Sequence, residues 1–373
     1  MIFINHVPGN PLEALTSRNL GFSDAAEGFV FISGTAAGLA YGTGFRPRSG
    51  QLWSTILQIG RRVWTLYLVH LFITVSALGI AAAALYWFDA PGMVQRNGID
   101  LLFQRPLQAL IGLPLMTYQL GYADILPLYV VLLGMSPMML WLAWRAPFWL
   151  LLGSVLIWAL AGQFRLNLPN AFGTGTWFFG PFSWQILFAL GILTGVAMRD
   201  GRRFVPVRPW ALWLAGGVLL LSLVWLRWPD LARFMNHQLW RLQEAGTPQW
   251  ITSFNKNFLH LPRLLHFLAL AYLLSSLRHV TRICAARPMA PFAMLGRHAL
   301  PVFALGSLLA YVLQAIKTET GINPPLDLAM VLAGLALMLA LAALRERLPS
   351  PSRGERSTMV ATPSQSRAGS PRE

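Results

Sequence analysis

Apolar runs of helical length recur along this chain, and a short polar stretch stops each one. Residues 1–8 are apolar and end in Val7-Pro8-Gly9-Asn10. A second run covers about 22–45 and a third about 63–87, after an amphipathic piece from Leu52 to Ile59. The polar excursion 88–122 holds an apolar piece, Leu107–Leu115, which predicts a re-entrant or interfacial helix. Further runs follow at about 123–143, 148–161, 182–198, 210–227, 261–277, 299–316 and 326–344. A run of about 20 residues can cross a bilayer. A membrane barrel would instead show alternating strands of about ten residues. The predicted fold class is an all-α polytopic membrane protein with about ten transmembrane helices.

The polar stretches set the orientation. Arginines concentrate in 46–62, 144–147, 199–208 and 278–297, and again in the tail. Under the positive-inside rule these segments are cytoplasmic. The alternate stretches, 9–22, 88–122, 162–181, 228–260 and 317–325, then all fall on the opposite, periplasmic side. Ten crossings with both ends cytoplasmic satisfy this, with the first helix expected to be incomplete, because eight residues cannot span a bilayer. The transmembrane domain is read as 1–345. Residues 346–373, rich in Ser, Pro and Arg, are read as a disordered basic cytoplasmic tail.

Composition agrees. Hydrophobic residues make up 55% and charged residues 12%, against roughly 25% charged in soluble domains. The net charge of +15 is explained by the loop arginines, so no nucleic-acid partner is expected; the lipid bilayer is. The lone Cys284 excludes a disulfide framework and a cysteine metal site. No Walker phosphate loop, HExxH site or GxSxG elbow is present. Neither a metal nor a bound cofactor is expected.

Ionisable residues near membrane depth are costly and mark candidate sites. His6 closes the first run. Asp24 and Glu27 open the second at i, i+3 spacing, so they share a face. Asp124 opens the fourth run, Trp184-Gln185 the sixth, and Lys256, Arg263 and His266 surround the start of the eighth. The deduced topology puts all of them at the periplasmic end. A neutral histidine can accept a proton from a hydroxyl, and a carboxylate on its other nitrogen can orient it. The plainer reading makes His6 an interfacial histidine and Asp24 an N-cap. Glu27 lies a turn deeper, beyond the N-cap. Asp124 reads as a cap or a substrate contact, Trp184 as an interface anchor or a sugar platform, and Arg263 with His266 as structural partners of the acids or as substrate contacts. Arg278, Arg282, Arg287 and Arg297 serve orientation and anionic lipid, or a donor phosphate.

Six blocks together carry a resemblance: INHVPGN, FSDAAEGFVFISG, GYADILPLYVVLL, PFSWQILFALG, RLLHFLALAYLL and LGRHALPVF. From Met1 to about residue 345 the chain resembles the OpgC-type succinyltransferases of osmoregulated periplasmic glucans, within the wider membrane acyltransferase group. The resemblance implies a ten-helix enzyme of the bacterial inner membrane. It implies a succinyl or similar acyl group moved from cytoplasmic acyl-CoA (succinyl-CoA) to glucan hydroxyls, and it implies His6 as the catalytic histidine. It also implies an arginine upstream of that histidine, at a position before Met1, which fits the expectation of a first helix cut short. On this reading Asp24 or Glu27 orients His6. Lys256, Arg263 or His266 stabilises the oxyanion or holds the succinyl carboxylate, Asp124, Trp184 and Gln185 contact substrate, and Arg297 contacts the donor. Acylation of another surface glycan, a proton-coupled secondary transporter, and a non-catalytic partner of a glucan synthase are the competing readings.

Overall fold

A computed structural model describes residues 1–348 apart from 97, 173 and 174. The expected tail lies outside the described residues from 349 onward. The short helix α1 (Ile2–Asn5) and the 17-residue α2 (Ala25–Tyr41) come first, followed by the 37-residue α3 (Leu52–Phe88). The excursion contains α4 (Pro91–Arg96), α5 (Asp100–Gln104) and α6 (Pro106–Gly112). Next are α7 (Ile125–Arg145), α8 (Pro147–Phe164), α9 (Pro181–Arg199), α10 (Pro209–Arg227), α11 (Pro229–Glu244) and α12 (Gln249–Thr252). The chain continues through α13 (Leu261–Ser276), α14 (Arg278–Ala285), α15 (Ala290–Arg297), α16 (Ala299–Thr320) and α17 (Pro324–Arg347).

Proline punctuates these helices. It stands first in α8, α9, α10, α11 and α17, where its missing N–H costs nothing and its φ suits the first turn. Pro137 sits inside α7 and removes the bond that would reach the Leu133 carbonyl. The Ser136 hydroxyl donates to that carbonyl instead, at 2.7 Å. In hydrocarbon such a replacement is required, because no water is available to the freed oxygen.

Seven helices, α3, α7, α8, α9, α10, α16 and α17, are long and apolar enough to cross a membrane. An eighth results if α13 and α14, bent by 73° at their junction, form one span. Among the described residues no strand occurs beyond an isolated bridge between Pro169 and Thr176. The protein is a multi-pass, all-helical membrane protein. Two expectations change. The amphipathic piece from Leu52 is continuous with the third run, since no breaker separates them and α3 runs unbroken. The polar stretch after 228 is also not loop: it contains α11, whose apolar and polar residues segregate to opposite faces and which buries no residue.

The centre of the bundle is α9. It packs on α2 through reciprocal glycines: Gly34 and Gly38 on α2 face Gly191 and Gly195 on α9. A Cβ on Gly34 would strike the Phe188 carbonyl oxygen, and one on Gly195 the Thr35 carbonyl oxygen. Small residues four apart on both helices let the backbones touch, the usual means of close packing in lipid. Around this pair stand α7 and α8, then α3, with α16 and α17 beyond it and α10 with α13 on another flank. Outward faces carry Phe72 and Val75 on α3, Trp213 and Leu220 on α10, and Leu332 and Leu337 on α17, all exposed. So much apolar surface would be a liability in water and suits acyl chains.

Candidate functional site

The start of α2 organises the site. Asp24 is its N-cap and accepts the Ala26 N–H at 2.8 Å. Glu27, fully buried, accepts the Asp24 N–H at 2.9 Å, so the two acids form a capping box. Both carry further partners from 230 residues away in the chain. Arg263, in the first turn of α13, donates to Glu27 Oε1 through Nε at 2.9 Å and Nη2 at 2.5 Å. Lys256 Nζ lies 2.5 Å from Asp24 Oδ2, and Arg263 Nη2 lies 3.5 Å from the same oxygen. Four charges thus alternate in sign across the gap between α2 and α13. Burial of this kind is tolerable only because each charge is paired and hydrogen-bonded.

Trp184 is wholly buried, and its Nε1 donates to the Lys256 carbonyl at 3.0 Å. It therefore holds the lysine's backbone and lines neither of the two cavities described below. Gln185 is buried too, with its amide donating to the Ser154 carbonyl at 2.7 Å, which ties α9 to α8. His266 accepts the Ser23 N–H on Nδ1 at 3.3 Å and meets the Ser23 hydroxyl at 2.7 Å. That contact assigns the remaining proton to Nε2 and fixes the residue ahead of Asp24. Gly21 is obligatory beside it, because a Cβ there would run into the imidazole. Arg297 pairs with Glu346 at 2.5 Å on the exposed surface, away from these residues.

His6 lies just past the end of α1, outside the membrane spans. Its ring packs against Tyr122, centroids 4.2 Å apart and planes inclined at 53°. Among the described residues neither Asp24 nor Glu27 hydrogen-bonds to the His6 ring. The orienting carboxylate expected there is engaged elsewhere, with Asp24 on Lys256 and Glu27 on Arg263. Burial, followed by the nearby Lys256 charge, pushes the imidazole down to about 3, so the ring is neutral through the physiological range. Burial alone would raise Asp24, but Lys256, the Ala26 N–H and Arg263 hold it at about 2, ionised. Asp124, at the start of α7, is pushed up by burial to about 6, with Lys256 opposing.

Two cavities meet at His6 and Asp24. One, of about 960 Å³, is lined by His6, Asp24, Tyr122, Asp124, Lys256 and Arg263, and walled by Phe178, Phe179, Trp225 and Phe254. The other, of about 1290 Å³, starts from the same two residues. It runs between α2, α13 and α16, past Phe29, Phe267, Leu270 and Val302, to Thr281 and Cys284 at α14. Its walls are mostly apolar. The structure thus brings His6, Asp24, Glu27, Asp124, Lys256 and Arg263 together, places Trp184 and Gln185 behind them as supports, and leaves His266, bonded to Ser23, on the wall of the second cavity. The aromatic wall was not anticipated. Phe178-Phe179, one loop before Pro181, and Trp225, at the end of α10, carry no pattern that separates them from ordinary interfacial aromatics.

The fold and site define a class: a multi-pass helical membrane protein with a charged, partly buried centre at one end of the bundle and cavities reaching it from two directions. Residues 1–350 match the family described as OpgC protein. The chain belongs to that family. No curated protein and no solved structure matches it.

Proposed function

We propose that this protein is an integral membrane O-acyltransferase that moves a succinyl or similar acyl group from cytoplasmic acyl-CoA to hydroxyls of periplasmic glucans. Family membership supports the reaction class. The observation that carries the rest is the meeting of two unlike cavities at one neutral histidine. The aromatic and charged cavity suits a glucan, since sugar faces stack on rings and sugar hydroxyls need polar partners. The apolar passage suits a thioester arm entering from the end where Arg278 and Arg282 lie.

In this reading His6 takes the proton of the acceptor hydroxyl as its oxygen attacks the thioester carbonyl. The carbonyl carbon becomes tetrahedral, the C–S bond breaks, and the CoA thiolate leaves with the proton His6 collected. Lys256, the more exposed of the two basic residues at 27% against 12%, is the one free to turn toward an oxyanion or the distal carboxylate of a succinyl group. Arg263 is fully committed to the two acids and preserves the shape of the site. Ten crossings with both ends cytoplasmic, in the bacterial inner membrane, accommodate this geometry. The seven long helices are joined by α2, α13 and the segment ending at His6.

The test is the charge of extracted glucans. Cells producing the protein should contain anionic, acylated glucans, and cells lacking it neutral ones. His6→Ala at equal protein level should match the latter. Unchanged substitution with His6→Ala would end the proposal, and unaltered glucans with changed solute uptake would favour transport.

A further inference from the structure

Tyr122 stands out among the residues around His6 for its backbone. Its φ is +74°, in the left-handed region that non-glycine residues enter at a cost. Of the other non-glycine residues with positive φ, Asp89 and Arg165 are helix C-caps, Arg48 sits in an exposed loop, and Met116 and Leu259, at +56° and +47°, lie outside the ring contact with His6. Tyr122 ends no helix. It precedes α7 in a turn closed by the Ala123 N–H on the Leu120 carbonyl at 3.1 Å. A glycine would relieve the turn, yet a tyrosine occupies it, with its ring against the His6 imidazole.

The pair is held from behind by one face of α16. Tyr311, fully buried, donates its hydroxyl to the Gly121 carbonyl. Gln314, one turn further on, donates to the His6 carbonyl at 2.8 Å. At i, i+3 the two side chains point the same way. One helix therefore fixes the backbone on both sides of the ring contact. Lys317 continues this face, with Nζ within 3.8 Å of where a Cβ on Gly9 would lie, and it is paired at 2.6 Å with the fully buried Asp327 of α17.

We propose that Tyr122 is a positioning residue for His6: a strained turn, clamped by Tyr311 and Gln314 of α16, presses its ring on the imidazole and takes the place of an orienting carboxylate. The ring does this by shape and by excluding water from one face. The assignment of His6 as base rests on the acyltransferase reading, but the placement of His6 by Tyr122 can be measured without it.

The test follows carbethoxylation of His6 by diethyl pyrocarbonate in the full-length purified protein, read by peptide mass spectrometry across pH. The charged groups facing His6 are Lys256, Asp24, Arg18 and the terminal amine, with Asp124 and the Lys317–Asp327 pair beyond. All remain in every variant, so a change reports the ring. Tyr122→Phe should react as slowly as wild type. Tyr122→Gly should react several-fold faster, with its midpoint moved up toward the ordinary 6.5, while its thermal stability stays at or above that of Tyr122→Phe because the turn is relieved. Tyr122→Asn, whose side chain tolerates the left-handed region, serves if the glycine variant does not fold. Equal His6 reactivity and midpoint in the glycine or asparagine variant and wild type would overturn the proposal. In the glucan assay Tyr122→Gly should lose turnover with KM for acyl-CoA unchanged. A wild type with no transfer activity would defeat the acyltransferase reading, while the reactivity data would still decide the role of Tyr122.

Discussion

Arg263→Met is the perturbation that most directly tests how the site is built. In the wild type Arg263 makes two hydrogen bonds to Glu27, at 2.9 and 2.5 Å, and a longer one to Asp24. The Glu27 side chain is 0% exposed. Methionine fills much the same volume, so little cavity term enters. What remains is a buried carboxylate whose one surviving bond is to the Asp24 N–H. Breaking a buried pair by removing one member costs about 3–5 kcal/mol, most of it from the stranded charge. The lower end, about 3 kcal/mol, applies here, because Arg263 keeps some exposure and Lys256 still faces Asp24. Glu27→Gln strands the guanidinium instead and should cost less, since Arg263 retains Asp24. The double variant Arg263→Met/Glu27→Gln leaves neither charge stranded and should recover most of the loss. Unfolding in mixed dodecylmaltoside–SDS micelles, followed by circular dichroism, gives the three differences. A coupling energy of about 2 kcal/mol or more is expected; independent sites add to within roughly 0.5 kcal/mol. Simple additivity would refute the claim that these two charges are mutually dependent.

Other outcomes follow from the same geometry. Gly195→Val would drive a side chain into the Thr35 carbonyl and the Leu39 amide. Neither can yield, so the loss should reach or exceed the roughly 3 kcal/mol upper range of ordinary overpacking, seen as loss of a monodisperse folded peak on size exclusion. Lys317→Met should destabilise by about 3 kcal/mol or more by stranding the buried Asp327, whereas Lys317→Met/Asp327→Leu should restore stability in the same micelle titration. The pH–rate profile should lack the acidic limb of an ordinary imidazole. A group held at about 3 in the folded protein is neutral above that value, so His6 should contribute no limb as pH falls through 6.5, and a limb near 6.5 that survives Asp124→Asn would contradict it. Trp184→Phe removes the bond to the Lys256 carbonyl and should cost about 1 kcal/mol of stability and lower turnover through Lys256, with its readout in the glucan assay.

Much of this arrangement is legible in the amino-acid sequence. Apolar length located the long helices, because hydrocarbon leaves no other way to satisfy a backbone. Loop arginines group the polar helix ends on one side, and that grouping puts His6, Asp24, Glu27, Asp124, Lys256 and Arg263 at one end of the bundle together with Trp184, Gln185 and His266. Who pairs with whom was hidden. Asp24 could have faced His6 as easily as Lys256, since one-dimensional order says nothing about which side of α2 meets α13. Trp184 has the composition of a sugar platform, yet its indole is enclosed, because α9 is buried from all sides by α2, α7 and α8. Tyr122 gave no signal, since a left-handed backbone at a tyrosine is set by its surroundings rather than by its own preference.

The glycines explain why such a site can hold its shape. The start of α2 carries Asp24 and Glu27, and an error in the height of α2 would separate them from Lys256 and Arg263 together. Backbone contact with α9 at Gly34, Gly38, Gly191 and Gly195 prevents that slide. The same α9 carries Trp184, which holds the Lys256 carbonyl. One helix thus fixes the acids through its glycines and one of their basic partners through an indole. On the other flank α16 fixes His6 and the turn of Tyr122 through Gln314 and Tyr311. The histidine and the charge cluster are referred to different helices, and they meet only where the two cavities do. A mutation that shifts α16 should therefore disturb the histidine and spare the ion pairs, and one that shifts α9 should do the reverse.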